Sequence, residues 1–408
     1  MKLSDNPPVH LTYCLNIHPG ESWEENFSAI NTCALSAKER ISPDAPFGLG
    51  LRLSNRASVE LSAPEAVEKF KAFLDEHDMY VFTVNGFPYG SFSSGVVKQD
   101  VYKPDWRNSE RTRYTMRLAD ILAQLLPEHT TGSISTVPCS YKDWIKSGAD
   151  REAMAANLVE CAFHLAELRA EKSVDIKLGL EPEPDCLIGS TDEAIGFFGT
   201  TLLGSGCEHL AEARGMSLEE ASDLVLTYIG ICLDTCHAAV EYEDPEKSIL
   251  RLHDHGIPVC KIQVCSALSA RINEHTLRQL RPFCEDRYLH QTKMRGRDGG
   301  IRSFKDLPEC MGMDPDAFND CELRTHFHLP LYFDRHQGLQ STSSYLREEF
   351  FQTALAYGVQ QFEIETYTFD VLPEAMRPGD VVSSIVREYQ WLMPRIMQSI
   401  SSSASASV

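Results

Sequence analysis

In Gly230-Ile-Cys-Leu-Asp234-Thr-Cys-His237, an apolar, β-prone run that begins at Tyr228 stops abruptly on a carboxylate, and an imidazole follows three residues later. A buried parallel strand looks like this when its carboxyl end opens into a polar site. Aspartate and neutral imidazole both ligate divalent cations, and both hold sugar hydroxyls. The plainer alternative is an Asp that caps a following helix, with His237 packed beside it. The same pattern, a strand and then a polar terminus, recurs about eight times along the chain.

The strand-like runs fall at 11–17, 47–53, 80–87, 133–137, 176–180, 228–233, 259–264 and 361–367. Amphipathic helical stretches separate them, among them 23–35, 64–77, 114–126, 151–172, 218–227, 246–255 and 344–357. Alternating strands and helices in that number predict an α/β fold of the closed (β/α)8 TIM-barrel type. An open doubly wound sheet is the main competitor, but neither G-x-G-x-x-G nor a P-loop is present. Residues 9–398 are expected to form one barrel domain. The segment 266–343, between the seventh and eighth strands, is too long for a barrel loop and is expected to form a flap or hairpin over the barrel mouth. Within it, Arg324-Thr-His-Phe-His-Leu-Pro-Leu-Tyr-Phe333 alternates like a half-buried strand. A looser second insertion is expected around 199–216, and a disordered Ser/Ala-rich tail over 399–408.

At 408 residues, with 43% apolar and 24% charged residues, the composition is that of a soluble globular protein. No apolar stretch approaches the roughly 20 residues that span a bilayer. The opening residues lack the apolar core of a secretory signal. The 13 cysteines are scattered, odd in number and without paired C-x-x-C spacing. They read as reduced packing residues of a cytoplasmic protein, and a structural zinc cluster is rejected. A net charge of −21 argues against nucleic acid as a partner. The basic cluster Lys293, Arg295, Arg297, Arg302 and Lys305 is either a solvated loop or a local anion site.

Barrel active sites lie at the carboxyl ends of the strands, so the residues there matter most. The first run ends Leu15-Asn-Ile-His18-Pro, the third Asn85-Gly-Phe-Pro-Tyr-Gly90, and the fifth Glu181-Pro-Glu183-Pro-Asp185. The sixth ends at Asp234, the seventh at Gln263-Val-Cys-Ser266, and the eighth Glu363-Ile-Glu365-Thr-Tyr367. Carboxylates crowding one mouth repel unless a cation or shared protons compensate. A bound Mn²⁺, Mg²⁺, Co²⁺ or Zn²⁺ would resolve the conflict. Two glutamates facing each other across the metal would then shuttle a proton at a carbon next to a carbonyl, with the metal polarising that carbonyl. His18, Asn85, His237, His326 and His328 are candidate substrate contacts. Each has a plainer reading: Glu183 as a cap or salt bridge, one of Glu363 and Glu365 paired with a basic wall residue, His18 as a strand end, Asn85 bonded to its own turn, and His326 and His328 as exposed or core histidines.

Five phrases carry a resemblance: His10–Trp23, Asn85–Gly90, Leu180-Glu-Pro-Glu-Pro184, Leu233-Asp-Thr-Cys-His237 and Phe362-Glu-Ile-Glu-Thr-Tyr-Thr-Phe-Asp-Val-Leu-Pro373. Together they resemble the EboE family of metabolite-traffic proteins, over nearly the whole chain. That family looks like a branch of the xylose-isomerase-like TIM barrels, which include sugar isomerases, 3-epimerases, inosose dehydratases and endonuclease IV. The resemblance implies metal ligation by Glu181, Asp234 and Glu365, with Glu363 the fallback for the last, and substrate contact by His237. It departs at the seventh strand, where sugar epimerases carry a metal-binding histidine and this chain has Gln263, a weak neutral ligand.

Three functions are therefore in play. The first is a metal-dependent isomerase or epimerase of a sugar, polyol or sugar phosphate. The second is a metabolite-binding escort that has lost the chemistry and works with other proteins of its pathway. The third, a phosphodiesterase like endonuclease IV, lacks a histidine-rich multi-metal signature at the strand ends and a basic groove.

Overall fold

The strand runs are apolar because both of their faces are covered: Phe47–Arg52 and Ile229–Asp234 are buried at every position. In the computed structural model, which describes residues 1–314, 318, 320–377 and 379–406, these runs assemble a nine-stranded sheet. Eight of its strands are parallel: Pro8–Tyr13, Phe47–Arg52, Met79–Asn85, Thr131–Thr136, Asp175–Leu180, Ile229–Asp234, Val259–Val264 and Gln361–Ile364. From the second strand onward each pairs with its successor, and the eighth pairs with the first. A parallel bridge between Cys14 and Gly50 joins first to second and closes the ring. The ninth strand, Lys2–Asp5, runs antiparallel to the first. The fold is a (β/α)8 TIM barrel.

Helices cover the ring with their apolar stripes. Pro64–Glu76 opens with proline at its first turn, and Gly148–Lys172 buries Met154, Leu158, Ala162 and Leu165 at helical spacing. The region 199–216, expected to be loose, is helical. A π-helical stretch Phe198–Gly206, kinked at Gly204, runs into the α-helix Cys207–Arg214. The last helix is Val381–Ala406, and Ser399 lies inside it with its hydroxyl donating to Arg395 O at 3.0 Å. The end of the expected tail, 407–408, lies outside the described residues. Among the described residues no helix is long and apolar enough to cross a membrane.

The barrel interior is polar. Lys261 Nζ donates to Glu363 Oε2 at 2.5 Å and to Thr83 Oγ1 at 2.9 Å, and both members of the ion pair are fully enclosed. Thr83 meets Ser133 Oγ at 2.7 Å, and Ser133 donates across the ring to Gln361 Oε1 at 2.5 Å. Gly50 makes room for this network: a Cβ built there would stand 1.8 Å from Glu363 Oε1. Gly50→Ala is therefore expected to push the carboxylate off Lys261. It should lower the urea midpoint by the equivalent of about 3 kcal/mol, the upper range for over-packing.

Between the seventh and eighth barrel strands stands a second, six-stranded antiparallel sheet. It begins at Ser266–Arg271, one residue after the seventh barrel strand, and includes Thr292–Arg295, Ile301–Phe304 and Glu322–Leu329. Its long strand Glu322–Leu329 alternates. Leu323, Phe327 and Leu329 enter the sheet's own apolar cluster with Leu268, Phe283 and Met294. Arg324, His326 and His328 take the opposite face, and Arg324 Nη1 donates to Ala239 O beside the barrel mouth. Four of the five residues in the basic run are paired locally, and the fifth, Arg302, stacks over the Phe318 ring. Lys293 pairs with Glu241, Arg295 with Glu322, Arg297 with Asp320 and Lys305 with Asp143. Lys293, Arg295 and Arg302 thus lie on strands rather than in a solvated loop, and the carboxylate partners do not fit the anion-site reading either.

Candidate active site

Strand periodicity delivers three carboxylates to one point. Asp234 ends the sixth strand, Glu181 follows the fifth by one residue, and Glu365 follows the eighth by one residue. One oxygen from each lies within 4.8 Å of the others, and all three residues are buried. Asp234 does two jobs at once. Its Oδ1 caps the helix Thr235–Val240 by accepting from His237 N at 2.8 Å, and it also accepts from Cys265 Sγ at 3.0 Å. Among the described residues its Oδ2 has no hydrogen-bond partner, and neither has Glu181 Oε2. Glu365 Oε1 is held by Asn16 Nδ2 at 2.6 Å and Asn85 Nδ2 at 2.9 Å.

Buried carboxylate oxygens without a donor are costly, and a divalent cation is the group that this donor set fits. Gln263 faces Asp234 and Glu363 in strand register, is fully buried, and finds no partner for either amide atom among the described residues. Glu363 is spent on Lys261, which leaves Glu365 as the carboxylate of the eighth strand that joins the cluster.

Charge without a cation is uneven here. Burial, with the Asp234 charge beside it, pushes the Glu181 carboxyl up to about 8. Burial, then Glu181, lifts Glu365 well above the carboxylate range. Burial also opposes the charge on Asp234, but His237 and His328 outweigh it and hold that group low. Glu181 thus binds its proton more tightly in the folded chain than in the unfolded one. The stability this lends is complete below about pH 4.5 and is lost as pH rises through about 8. Metal-free protein is expected to lose a few kcal/mol across that window, read as a falling melting temperature. Added Mn²⁺ should restore most of the loss at pH 8 and little at pH 5, because the ion takes the deprotonated site.

Three imidazoles stand beside the triad. His237 Nδ1 bonds Pro182 O at 2.9 Å, His328 Nδ1 bonds Glu365 O at 2.8 Å, and His326 Nδ1 bonds Gln291 Oε1 at 2.8 Å. His326 Nε2 lies 3.0 Å from His237 Nε2 and 3.1 Å from His328 Nε2, with the Tyr367 hydroxyl at 3.2 Å. Glu183 Oε1 accepts from Tyr102 OH at 2.6 Å and Gln291 Nε2 at 3.2 Å, so it anchors the inserted sheet to the barrel. His18 is not among the lining residues; its ring bonds the Tyr13 hydroxyl at 2.9 Å. A cavity of about 50 Å³ opens onto Glu181, Glu365, Asn16, Asn85 and the three histidines, walled by Phe87, Phe92, Tyr288 and Tyr367.

Sequence reasoning gave no role to Asn16, Gln291 or Tyr367. Asn16 and Tyr367 stood inside the quoted phrases at strand ends, and that position was the available signal. Gln291 sits within the inserted segment and carries no local pattern.

No protein-family model matches the chain, and no curated protein matches its sequence. The likeness to the EboE family therefore rests on the quoted phrases alone. Solved structures with a similar course include the probable 3-DHS dehydratase AsbF of Bacillus anthracis, at 12% identity and TM-score 0.49, covering 94% of this chain and 99% of that one. A xylose isomerase domain protein of Alicyclobacillus acidocaldarius is 11% identical, with a TM-score of 0.42, over 96% and 99% of the two chains. An IolI protein with a bound zinc atom is 10% identical, with a TM-score of 0.46, over 98% and 99%. These neighbours are xylose-isomerase-like barrels. At such scores their chemistry carries nothing over to this chain.

Proposed function

We propose that this protein is a divalent-metal-dependent isomerase or epimerase of a small sugar or polyol, free or phosphorylated. One observation carries the reading: Glu181, Asp234 and Glu365 converge in a buried mouth, with Glu181 Oε2 and Asp234 Oδ2 left without donors. When bound there, a divalent ion supplies Lewis-acid polarisation of a carbonyl. The chain's own residues do the rest. Asn16 and Asn85 fix Glu365 by its Oε1, so that its carboxyl is oriented before a substrate arrives. Glu181 and Glu365 exchange a proton with the carbon beside the carbonyl. The wall of Phe92, Tyr288 and Tyr367, with ring centroids 4.9–5.2 Å apart, excludes water from that exchange.

The test uses a panel of ketoses and ketose phosphates incubated with the Mn²⁺- or Co²⁺-loaded protein in D2O. Incorporation of one deuterium at the carbon next to the carbonyl, lost on chelation and in Asp234→Asn, is the expected result. Asparagine keeps the helix cap, so the variant should fold while losing the charged ligand. No incorporation with any ketose would overturn the reading.

A second reading is a metabolite escort of the EboE kind, working with partner proteins in a metabolite-traffic pathway. Gln263 favours it, because a neutral amide stands where a charged or imidazole ligand would strengthen metal binding. It expects ligand affinity that survives chelation.

A further inference from the structure

We propose that residues 90–97 form a lid over the barrel mouth, with the Phe92 ring as its plug and Glu21 as its latch. A lid there serves any small molecule that the mouth takes up, whether converted or carried, so it stands on either reading of function. The cavity measures about 50 Å³, room for only a few waters. A ketose displaces far more, so part of the wall must move to admit one. The wall is built of unequal parts. Asn85 ends a barrel strand, and His326 and His328 lie on the long strand of the inserted sheet. Residues 90–97, by contrast, belong to an irregular connection between Met79–Asn85 and the 3₁₀ helix Lys98–Tyr102.

That connection divides by face. Phe92 and Val97 are buried and line the cavity, whereas Ser91, Ser94, Gly95 and Val96 face solvent, Val96 at 71%. Phe92 and Val97 stand apart from the barrel core, in a small apolar cluster with Tyr288. A satellite cluster of that size opens without unfolding the barrel. Both ends of the segment are fastened. At one end the buried Arg52 guanidinium donates to Gly90 O at 2.6 Å and to Gly20 O at 2.8 Å. At the other, Val97 N and Lys98 N donate to Arg287 O at 2.8 and 2.9 Å, and Lys98 Nζ meets Asp306 Oδ2 at 2.7 Å. Between these anchors the arc is tied to the first strand's loop. Phe92 N donates to Glu21 Oε1 at 2.8 Å, and Gly20 N donates to Ser93 Oγ at the longer 3.4 Å. Glu21 Oε2 in turn lies 3.3 Å from Arg52, so one carboxylate joins the backbone of the plug to the fixed base. When Glu21 lets go, the arc swings outward between its anchors, and the Phe92 ring leaves Tyr288 and Tyr367.

The test uses full-length protein without metal or ketose and reads two quantities. One is hydrogen exchange of peptides spanning residues 88–98, by mass spectrometry. The other is the rate at which diethyl pyrocarbonate modifies His326 inside the cavity, against the exposed His336. In the parent, His326 should react far more slowly than His336. Glu21→Ala should speed both exchange of the segment and modification of His326 by about tenfold, the lower range for losing a hydrogen bond to a charged group. Glu21→Gln keeps an acceptor for Phe92 N and should restore most of the protection. Phe92→Ala removes the plug and leaves the latch, so it should speed His326 modification as well. Exchange within the strand Phe47–Arg52 should stay at the parental rate in all three variants. Unchanged segment exchange in Glu21→Ala would overturn the proposal, as would parental His326 reacting as fast as His336. Equal acceleration in the strand would also overturn it, by showing general loosening. Neither quantity depends on turnover or metal uptake, so failure of the isomerase reading and failure of the lid are distinguishable.

Discussion

Replacing Glu181 by glutamine is expected to lower the deuterium exchange of a turned-over ketose by about 10²–10⁴-fold, the range for removal of a general acid–base group. The same loss is expected for Glu365→Gln, by a different route. Glu181 has an Oε2 without a partner among the described residues and lines the cavity, so that oxygen is placed to exchange a proton with a bound substrate. Glu365 is gripped by Asn16 and Asn85 through one oxygen. Glutamine at 365 can still accept those two bonds, so the site keeps its shape while the exchangeable proton is lost. With Mn²⁺ held at saturation, to offset the ligand that each variant weakens, both should still take up a ketose and fail in kcat. Exchange persisting at parental rates in both would remove the glutamates from the chemistry. Loss of binding together with rate would instead assign them to positioning alone.

The barrel was legible because its signal is repeated: apolar runs that end in polar residues at regular spacing recur around the whole ring. The site was legible only where one strand end supplies its own chemistry, as in Asp234-Thr-Cys-His237 and Glu181-Pro-Glu183. Strand ends were read too far for a physical reason. The expected strand 11–17 stops at Tyr13 and turns into a 3₁₀ helix over Leu15–Ile17, which lets Asn16 reach Glu365 on the neighbouring strand. That bond spans 349 residues of sequence, and no local pattern encodes it. His326 and His328 were visible as sharing one face of a strand. Their meeting with His237 depends on how the inserted sheet docks, which periodicity does not carry. The choice between Glu363 and Glu365 had a missed clue in Val259-Cys-Lys-Ile-Gln-Val264: a lysine inside a doubly buried strand demands a carboxylate.

That lysine gives the largest stability effect expected. Lys261→Met should destabilise the protein by about 3–5 kcal/mol, the range for removing one partner of a buried ion pair. The ammonium is fully enclosed, bonded to Glu363 Oε2 at 2.5 Å and to Thr83 Oγ1 at 2.9 Å. Methionine fills the same space but leaves Glu363 as a lone charge, whose Oε1 already lacks a partner. Lys261→Met combined with Glu363→Gln should recover a large part of the loss, because a neutral amide costs far less to bury than an uncompensated carboxylate. The midpoints of urea unfolding for parent, single and double variants measure this directly. Equal losses in single and double variants would assign the lysine's contribution to packing of its stem. A second consequence reaches the site above. The Lys261 charge is among the groups that favour ionised Glu181, so the single variant should raise the Glu181 carboxyl further. Metal affinity at the triad should then weaken at pH 7 and recover at higher pH, whereas a variant damaged only in its packing would show no such pH-dependent recovery.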